Sequence, residues 1–411
     1  MTSIRDIGVT AKGTIGFQEE VTLGSDVKTD RIARKVTIYP GCRLFGSSTL
    51  ICEGAELGRE APVTINNCYI GPHVKLKGGY FENAVFLAGA EAGSGAHVRG
   101  GTILEEQASI AHTVGLKQTI LFPFVTLGSL INFCDCLMAG GTSRTNHSEV
   151  GSSYIHFNYT PNQDKATASL IGDVPGGVML REDPIFLGGQ GGLVGPCRLA
   201  YGTVIAAGSV YRKDQLKPNR LVFEGGGRGG NVPYSAGIYR NVKRQAHNNI
   251  IYMANLIALL AWYTHIRAQF VHDAFDGALH EGLLGTLKTA IAERVKRFGA
   301  FCTKLEGSAR LYRQQMGAHA SAALLRQKDE LSNNGDQVAA LIGRRVKTIA
   351  DGNSQTVLSA VRGIMAQSSG SSYIEAIQNL DAADAQRATA WLQEVVDRVC
   401  AQVLDLLPSL K

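Results

Sequence analysis

The sequence lacks the features that mark nucleic-acid-binding and membrane proteins. Its net charge of +6 comes from basic residues spread over all 411 positions, whereas nucleic-acid binding favours a basic stripe with interleaved aromatic residues. The apolar run at residues 250–263 is shorter than the ~20 residues that span a bilayer, and Asn255 interrupts it. We therefore expect a buried helix there, and neither a nucleic-acid nor a membrane partner.

The sequence also gives no sign of secretion or of a disulfide framework. The first residues, Met-Thr-Ser-Ile-Arg-Asp, do not form a signal peptide. The eight cysteines are scattered, as expected for free buried thiols in a cytoplasmic protein. Cys134 and Cys136 have no second cysteine pair nearby to complete a zinc site. We predict a cytoplasmic protein that requires no metal.

Glycine is abundant, with 48 residues, most of them in the first 230 positions. An aliphatic residue recurs at every sixth position in Leu187-GGQGG, Leu193-VGPCR, Leu199-AYGTV and Ile205-AAGSV. Neither a helix, with period 3.6, nor a strand, with period 2, explains this spacing, but a β-helix solenoid does. Three hexads form one triangular coil, with the aliphatic residues inside and small residues at the corners. The upstream repeat positions are Ile38, Leu44, Leu50, Leu57, Val63, Tyr69, Ile70 and Leu76, with a second register at Ile103 and Ile110.

The second half of the chain has a helical pattern. Glycine thins out after residue 240, and Ala, Leu, Gln, Arg and Lys recur at helical spacing. The glycine-rich stretch before it has no P-loop pattern, so we interpret it as a linker. The sequence predicts a left-handed parallel β-helix over residues 1–222, a linker over 223–239 and an all-α domain over 240–411. The predicted helices are 240–271, 276–300, 303–330, 335–350 and 382–406.

A dense polar segment precedes the most regular hexads. A coil needs aliphatic residues inside, so these side chains must point outward or lie on a loop. In a trimer, such a loop meets the outer face of the neighbouring solenoid and forms a cleft. The polar residues are Arg144, Asn146, His147, Glu149, His156, Asn158, Tyr159, Asp164 and Lys165.

The order of four motifs in this region resembles a known family. The motifs are Phe157-Asn-Tyr-Thr-Pro-Asn-Gln-Asp-Lys165, Ile171-Gly-Asp, Ile185-Phe-Leu-Gly-Gly-Gln-Gly-Gly-Leu-Val-Gly-Pro and Val204-Ile-Ala-Ala-Gly-Ser. They resemble the C-terminal acetyltransferase domain of the bifunctional glucosamine-1-phosphate acetyltransferase/N-acetylglucosamine-1-phosphate uridyltransferase family, a trimeric left-handed β-helix. The resemblance covers about residues 110–215 and does not extend to the helical half. The family's uridyltransferase domain has no counterpart here, so we do not expect pyrophosphorylase activity.

The resemblance implies contacts with the acceptor substrate. Asn158 and Tyr159 match a pair that contacts the amino sugar, and Lys165 matches a lysine in the same loop. Lys117 matches a lysine that contacts the sugar phosphate. Arg144 and Asn146 join this set as expected substrate contacts because they lie in the same polar segment.

The resemblance also implies a groove for acetyl-CoA. Ala206 and Ala207 match alanines that line it, and Gly189 stands where the family has a serine near the thioester. Backbone N–H groups at Gly188 and Gly189 are expected to stabilise the oxyanion. The expected cofactor contacts are Gly188, Gly189, Ala206, Ala207 and Lys213.

The catalytic histidine of that family is missing from its matched position, where Ser129 or Leu130 stands. Acyl transfer to an amine needs a base, and histidine has a suitable pKa. His147 is our first candidate, since Glu149 is near enough in sequence to orient it. His156 is the second, because in a strand it would share a face with Asn158.

The sequence therefore predicts a homotrimeric, acyl-CoA-dependent acyltransferase that acts on an amino sugar, a sugar phosphate or a nucleotide sugar. The main alternative is a non-catalytic β-helix that binds a nucleotide sugar or scaffolds a partner. A γ-class carbonic anhydrase-like protein would need three histidines around a metal. His73, His97 and His112 are spaced by 24 and 15 residues, not by whole 18-residue coils, which disfavours that activity.

Overall fold

The structure, a computed structural model, describes residues 10–11, 21–224, 234–348, 354–367 and 372–411. A left-handed parallel β-helix of about eleven turns precedes a helical region, as predicted. Residues 225–233, which hold most of the predicted linker and its glycine-rich loop, lie outside the described residues.

Each coil of the β-helix contributes one short strand to each of three faces. The first face contains β1 Thr10–Ala11, β3 Thr37–Ile38, β6 Glu56–Leu57, β9 Lys75–Leu76, β12 Glu91–Ala92, β15 Ser109–Ile110, β17 Thr126–Leu127, β21 Glu149–Val150, β24 Phe186–Leu187, β27 Val204–Ile205 and β29 Leu221–Val222. The second face contains β2 Thr22–Leu23, β4 Arg43–Phe45, β7 Val63–Asn66, β10 Gly79–Glu82, β13 Ala96–Val98, β22 Ile155–Phe157, β25 Gly192–Val194 and β28 Val210–Tyr211.

The third face contains β5 Leu50–Ile51, β8 Tyr69–Ile70, β11 Ala84–Phe86, β14 Thr102–Leu104, β23 Ser169–Ile171 and β26 Arg198–Leu199. Two longer strands, β16 Gly115–Leu121 and β18 Asn132–Met138, turn the corner and belong to both the second and the third face. We call the corner between the first and second faces the first edge, that between the second and third the second edge, and the remaining corner the third edge.

The aliphatic residues of the hexads form the core of the solenoid. On the first face Leu127, Val150, Leu187 and Ile205 stack in register, and all four are fully buried. Each coil alone would leave this column open to water, so burial depends on stacking. Tyr69 departs from the pattern: it is only half-buried and packs outward against the helical region.

The helical region is built from long helices that continue the core. The helices are α2 Val242–His265, α3 Ala274–Cys302, α4 Leu305–Met316, α5 Ala322–Lys347, α6 Ser354–Gln367, α7 Tyr373–Gln378 and α8 Ala382–Asp405. A short helix, α1 Val174–Gly177, lies in the solenoid loop between β23 and β24 and packs against α2 and α8.

The helix prediction over residues 303–330 was wrong, because that segment contains two helices. Gly317 ends α4 with a φ of 52°, a left-handed conformation that interrupts the helix. The predicted break between residues 330 and 335 was also wrong, since α5 runs through it. Gly335 serves close packing there: an added Cβ would lie 2.9 Å from the Cβ of Cys302 on α3. The helices α6 and α7 were not predicted.

Helices cover the third face of the solenoid from edge to edge. The helix α3 packs on β5, β8, β11 and β14. At the third edge, the buried Arg267 pairs with Glu105 and Glu106 and lies 3.7 Å from the ring centre of Tyr373. Such a buried pair fixes the two parts of the chain together, because breaking it would leave a charge without water or partner. In the described part of the chain, the main contacts between helices and strands all lie on the third face.

The segment Val242–Phe270 is long and apolar enough to cross a membrane, but 83% of its most apolar window is buried inside the fold. Asn255 is buried within it and accepts a hydrogen bond from the backbone N–H of Val174 at 2.9 Å. The prediction of a buried core helix is therefore confirmed.

Candidate functional site

The predicted site residues lie on three different edges of one solenoid. The third edge carries Arg144, Asn146 and His147, with Glu149 next to it on β21 of the first face. The second edge carries Lys117, Asn158, Tyr159 and Lys165. The first edge carries the glycines and alanines of the predicted coenzyme groove. A face of the prism separates each pair of edges, so one chain alone does not bring these groups together.

At the third edge, a small hairpin of β19 Gly141–Ser143 and β20 Asn146–His147 projects from the coil. His147 is mostly buried, with 18% of its side chain exposed, and its Nε2 lies 3.9 Å from Oε2 of Glu149. Nδ1 of His147 is buried and has no hydrogen-bond partner among the described residues. The carboxylate is thus close enough to interact with the ring by its charge but not to form a hydrogen bond with it, and the role of Glu149 in orienting His147 stays a prediction.

Two other residues of this hairpin make contacts that hold it in place. Nη1 of Arg144 donates to the carbonyl oxygens of Gln107 and Phe124, both at 2.9 Å, and to Oγ1 of Thr126 at 3.0 Å. Nδ2 of Asn146 donates to Oγ1 of Thr142 at 2.9 Å. Arg144 therefore clamps earlier coils, and its guanidinium is already engaged.

At the second edge, Asn158 is linked to the helical region. Its Nδ2 donates to Oδ2 of Asp135 at 2.9 Å, and Oδ1 of Asp135 lies 2.6 Å from Nη2 of the buried Arg294 on α3. Lys117, half-buried on β16, is in register with Cys134, the residue next to Asp135. The two predicted substrate contacts, Lys117 and Asn158, therefore lie close together on one edge.

The loop after β22 is folded onto the helices. Oδ2 of Asp164 accepts from the hydroxyl of Tyr239 at 2.7 Å, and the carbonyl of Ala166 accepts from Nδ2 of Asn249 at 2.9 Å. Tyr159 remains 62% exposed, with Nζ of Lys165 5.8 Å from its ring centre. The helical region thus fixes this loop, while Tyr159 stays exposed to solvent and Lys165 is half-buried beside it.

His156 faces the interior of the solenoid. Its Nδ1 donates to the carbonyl of Cys134 at 2.6 Å, and its Nε2 accepts from the hydroxyl of Ser169 at 2.7 Å. Burial lowers the pKa of His156 to about 4. The side chain is 2% exposed and both nitrogens are occupied. It does not share an outer face with Asn158, which lies beyond the end of β22, so we no longer consider it a base.

The first edge is a narrow column of small residues. An added Cβ on Gly188 would lie 2.3 Å from the backbone nitrogen of Ala207, and one on Gly151 would lie 2.4 Å from that of Gly189. Real Cβ atoms do not approach so closely, so the stacked backbones need these glycines. The N–H of Gly188 donates to the carbonyl of Ile205, which removes it as an oxyanion donor.

The backbone of Lys213 lies apart from the rest of the predicted coenzyme groove, but its side chain extends towards Glu224, whose N–H donates to Oγ of Ser209 at the first edge. Lys213 follows β28 at the second edge, whereas Gly188, Gly189, Ala206 and Ala207 form the first. Its side chain is 77% exposed, and its Nζ lies 3.8 Å from Oε1 of Glu224.

A polar column that was not predicted from the sequence lies beside these glycines. Nδ1 of His112 lies 3.2 Å from Oγ of Ser129, and the N–H of Ser129 donates to Oγ of Ser152 at 3.1 Å. Ser129 is one of the positions where the expected histidine is missing, and His112 lies 17 residues earlier, one coil away. That coil spacing is the signal that would have drawn attention to His112.

The histidines of the carbonic anhydrase alternative are dispersed. His73 lies at the third edge, His97 stacks on Tyr80 of the second face, and His112 lies at the first edge. Cys134 and Cys136 are buried, and burial raises the pKa of both thiols. Within the described ranges, no group of three His, Cys, Asp or Glu side chains is placed to hold a metal.

Comparison with known proteins confirms the resemblance in part of the chain. The bifunctional protein GlmU of Pelobacter propionicus is 29% identical over 178 residues, which are 43% of this chain and 34% of the relative. GlmU of Thermotoga maritima is 28% identical over 184 residues, 44% of this chain and 36% of the relative. GlmU of Clavibacter sepedonicus is 29% identical over 189 residues, which are 46% of this chain and 34% of the relative.

The chain thus spans about a third of the length of the curated relatives that it matches. No protein-family model matches it.

Proposed function

We propose that the protein is a cytoplasmic, homotrimeric acyltransferase. It transfers an acyl group, acetyl in the simplest case, from acyl-CoA to an amino sugar, a sugar phosphate or a nucleotide sugar. The observation that carries the proposal is the placement of the candidate residues on separate edges, with the first and second faces uncovered. The similarity to GlmU over more than two fifths of the chain supports it.

A cyclic trimer would assemble the site from two chains. If the first face of one copy packs towards the second face of its neighbour, the third edge of one copy meets the second edge of the next. His147 and Glu149 of one copy then face Lys117, Asn158 and Tyr159 of the other. The first edges, with Gly188 and its neighbours, lie at the inner end of the same cleft.

The outer side of the first face offers an apolar contact for such packing. Phe186, Val204 and Leu221 lie side by side on β24, β27 and β29, and they are 39%, 36% and 65% exposed. Larger contiguous apolar patches on soluble proteins mark interaction sites. Glu149 of β21 borders this patch, in register with Phe186, and the charged residues Glu56, Lys75 and Glu91 of the same face lie on earlier coils.

The chemistry requires a base, a positioned amine and a bound thioester. In the proposed step, the amine nitrogen attacks the thioester carbonyl, and Nε2 or Nδ1 of His147 takes the proton. The C–S bond then breaks, and the imidazolium returns the proton to the departing thiolate. Glu149 stabilises the imidazolium by its charge, and Lys117 binds an anionic group of the acceptor.

The test is thiol release from acetyl-CoA when glucosamine 1-phosphate or a UDP-amino sugar is supplied. The wild-type protein should release coenzyme A with an acceptor and not without one. His147→Ala should lower kcat by a factor on the order of 10²–10⁴. His319→Ala, which alters an exposed histidine of the helical region, is the matched control and should keep full activity.

Two results would count against this scheme. Absence of thiol release with every amino sugar, together with absence of coenzyme A binding in calorimetry, would favour the non-catalytic β-helix. Full activity of His147→Ala with an inactive His112→Ala would move the base to the polar column at the first edge.

A further inference from the structure

A cavity of about 460 Å³ lies where the last coils of the solenoid meet the start of α2. This volume is within the ~300–1,000 Å³ of typical ligand sites. It lies near the second edge, beside Pro196 and Asp214, and so is separate from the column at the first edge. Five basic side chains line it: Arg198, Arg240, Lys243, Arg244 and His247.

The charge of the cavity is strongly positive. Four of the five basic residues are arginine or lysine, and Asp214 is the carboxylate among the lining residues. That carboxylate is already used: Oδ1 accepts from Nδ2 of Asn248 at 3.0 Å and lies 3.3 Å from Nη2 of Arg244. Oδ2 lies 3.6 Å from Nη2 of Arg198. Asp214 therefore offsets one of the four positive charges, and Nζ of Lys243 also donates to the backbone oxygen of Lys411 at 2.8 Å. The lining keeps a net positive charge, which favours an anionic ligand.

The start of α2 adds a second attraction for an anion. The N-cap residue, Asn241, makes no side-chain capping bond, and the first turn of this 24-residue helix has no acidic residue. The N–H groups of a helix start point outward with a partial positive charge and bind phosphate groups. Asn241, Val242 and Lys243 all line the cavity.

Two buried polar atoms in the cavity wall have no partner among the described residues. One is Oδ1 of Asn248, on a residue that is 1% exposed, and the other is Nε of Arg198. The amide nitrogen of Asn248 is fixed by its bonds to Pro196 and Asp214, so its oxygen must accept. An unpaired buried polar atom is costly, and a ligand that donates to Asn248 while it accepts from Arg198 would satisfy both.

From these contacts we infer that the cavity is a binding site for a small phosphate ester that also carries a hydroxyl group. The phosphate lies between Arg240, Lys243 and the start of α2, and the hydroxyl donates to Asn248. This site goes beyond the proposed acyl transfer, since its occupation needs neither His147 nor a partner chain. A sugar phosphate and the 3′-phosphorylated ribose of coenzyme A share this chemistry.

The test is calorimetric titration of the full chain with glucose 1-phosphate and with inorganic phosphate. Glucose 1-phosphate should bind more tightly, since inorganic phosphate has no sugar hydroxyl for Asn248. The double variant Arg240→Gln/Lys243→Gln alters two exposed residues, so it should fold, and should weaken binding at least about tenfold. Arg344→Gln/Lys347→Gln, near the end of α5, removes the same charge elsewhere and should leave binding unchanged.

Coenzyme A and dephospho-coenzyme A identify the source of the phosphate. If the Arg240/Lys243 variant binds coenzyme A more weakly than the wild type does but binds dephospho-coenzyme A equally well, the site binds the 3′-phosphate of coenzyme A. If the variant weakens the binding of glucose 1-phosphate and of neither coenzyme, the site binds a sugar phosphate. The inference is overturned if neither glucose 1-phosphate nor coenzyme A binds saturably at millimolar concentration. It is also overturned if the Arg240/Lys243 variant binds both compounds as tightly as the wild type does. Because binding is measured without turnover, this result is independent of the acyl-transfer assay.

Discussion

His156 shows how a single buried residue couples the solenoid to pH. Its two hydrogen bonds, from Nδ1 to Cys134 and from Ser169 to Nε2, require a neutral ring with the proton on Nδ1. Ser169 also accepts the N–H of Cys197 at 3.0 Å, so its hydroxyl proton points at the histidine. A second proton on the ring would break this chain of bonds inside a dry core.

We predict that His156 makes the fold less stable in mild acid. Its pKa falls from about 6.5 in the unfolded chain to about 4 in the folded one. The unfolded state therefore binds more protons between these values, and stability is lost as pH falls through this window, by up to about 1.4 kcal/mol per pH unit. Urea unfolding of the wild type and His156→Gln at pH 7.5 and pH 5 measures this loss. An equal pH dependence in the two proteins would contradict the assignment.

At the scale of the element, the first edge shows why Gly189 cannot carry the serine that the resemblance leads one to expect. An added Cβ at Gly189 would lie 2.8 Å from the carbonyl oxygen of Ser152, a backbone atom that cannot move without its coil. The coils are therefore packed too closely here for any side chain. The departure from the family pattern is required by packing in this chain.

We predict that Gly189→Ser destabilises the solenoid by about 1–3 kcal/mol, as overpacking does in other cores. It should not raise activity. Gly307→Ala is the control: this glycine lies within α4, and an added Cβ has nothing within 4 Å. That substitution should be neutral or stabilise by up to about 1 kcal/mol. Thermal unfolding of both variants checks the prediction, and a Gly189→Ser protein as stable as the wild type would refute it.

The elements also show which parts of the fold the sequence could predict. The hexads are local, so the positions of Leu187, Leu193 and Leu199 alone predicted the coils. The path of α5 was not predictable in this way, because Asn333-Asn-Gly335 is a typical turn sequence. Only the approach of Cys302 from α3 explains the glycine, and that contact joins residues that are far apart in the chain.

At the scale of the whole molecule, the candidate site could be predicted only as a list of residue types. Sequence proximity placed Arg144 and His156 beside His147, but the structure engages Arg144 with earlier coils and buries His156 in the core. Loops that leave different edges of a prism look adjacent in sequence. The helices cover the third face and thereby leave the other two faces open. That packing depends on contacts between residues far apart in the chain, such as Arg267 with Glu105.

The two-chain site leads to a prediction about mixed trimers. His147→Ala and Lys117→Ala should each be nearly inactive alone, because each removes one half of every site. In trimers reassembled from both variants, some clefts pair the intact His147 of one chain with the intact Lys117 of its neighbour. Random assembly makes about a quarter of the clefts complete, so activity should recover to about that fraction of wild type.

The measurement is thiol release before and after the two variants are mixed, unfolded and refolded together, with light scattering to show three times the mass of the 43.9 kDa chain. Each variant refolded by itself is the control and should stay inactive. Recovery requires that the two residues act in the same cleft but come from different chains. Mixed trimers that have the correct mass but stay inactive would contradict the proposal. In that case His147 and Lys117 do not act in one cleft between two chains, and the proposed assembly is wrong.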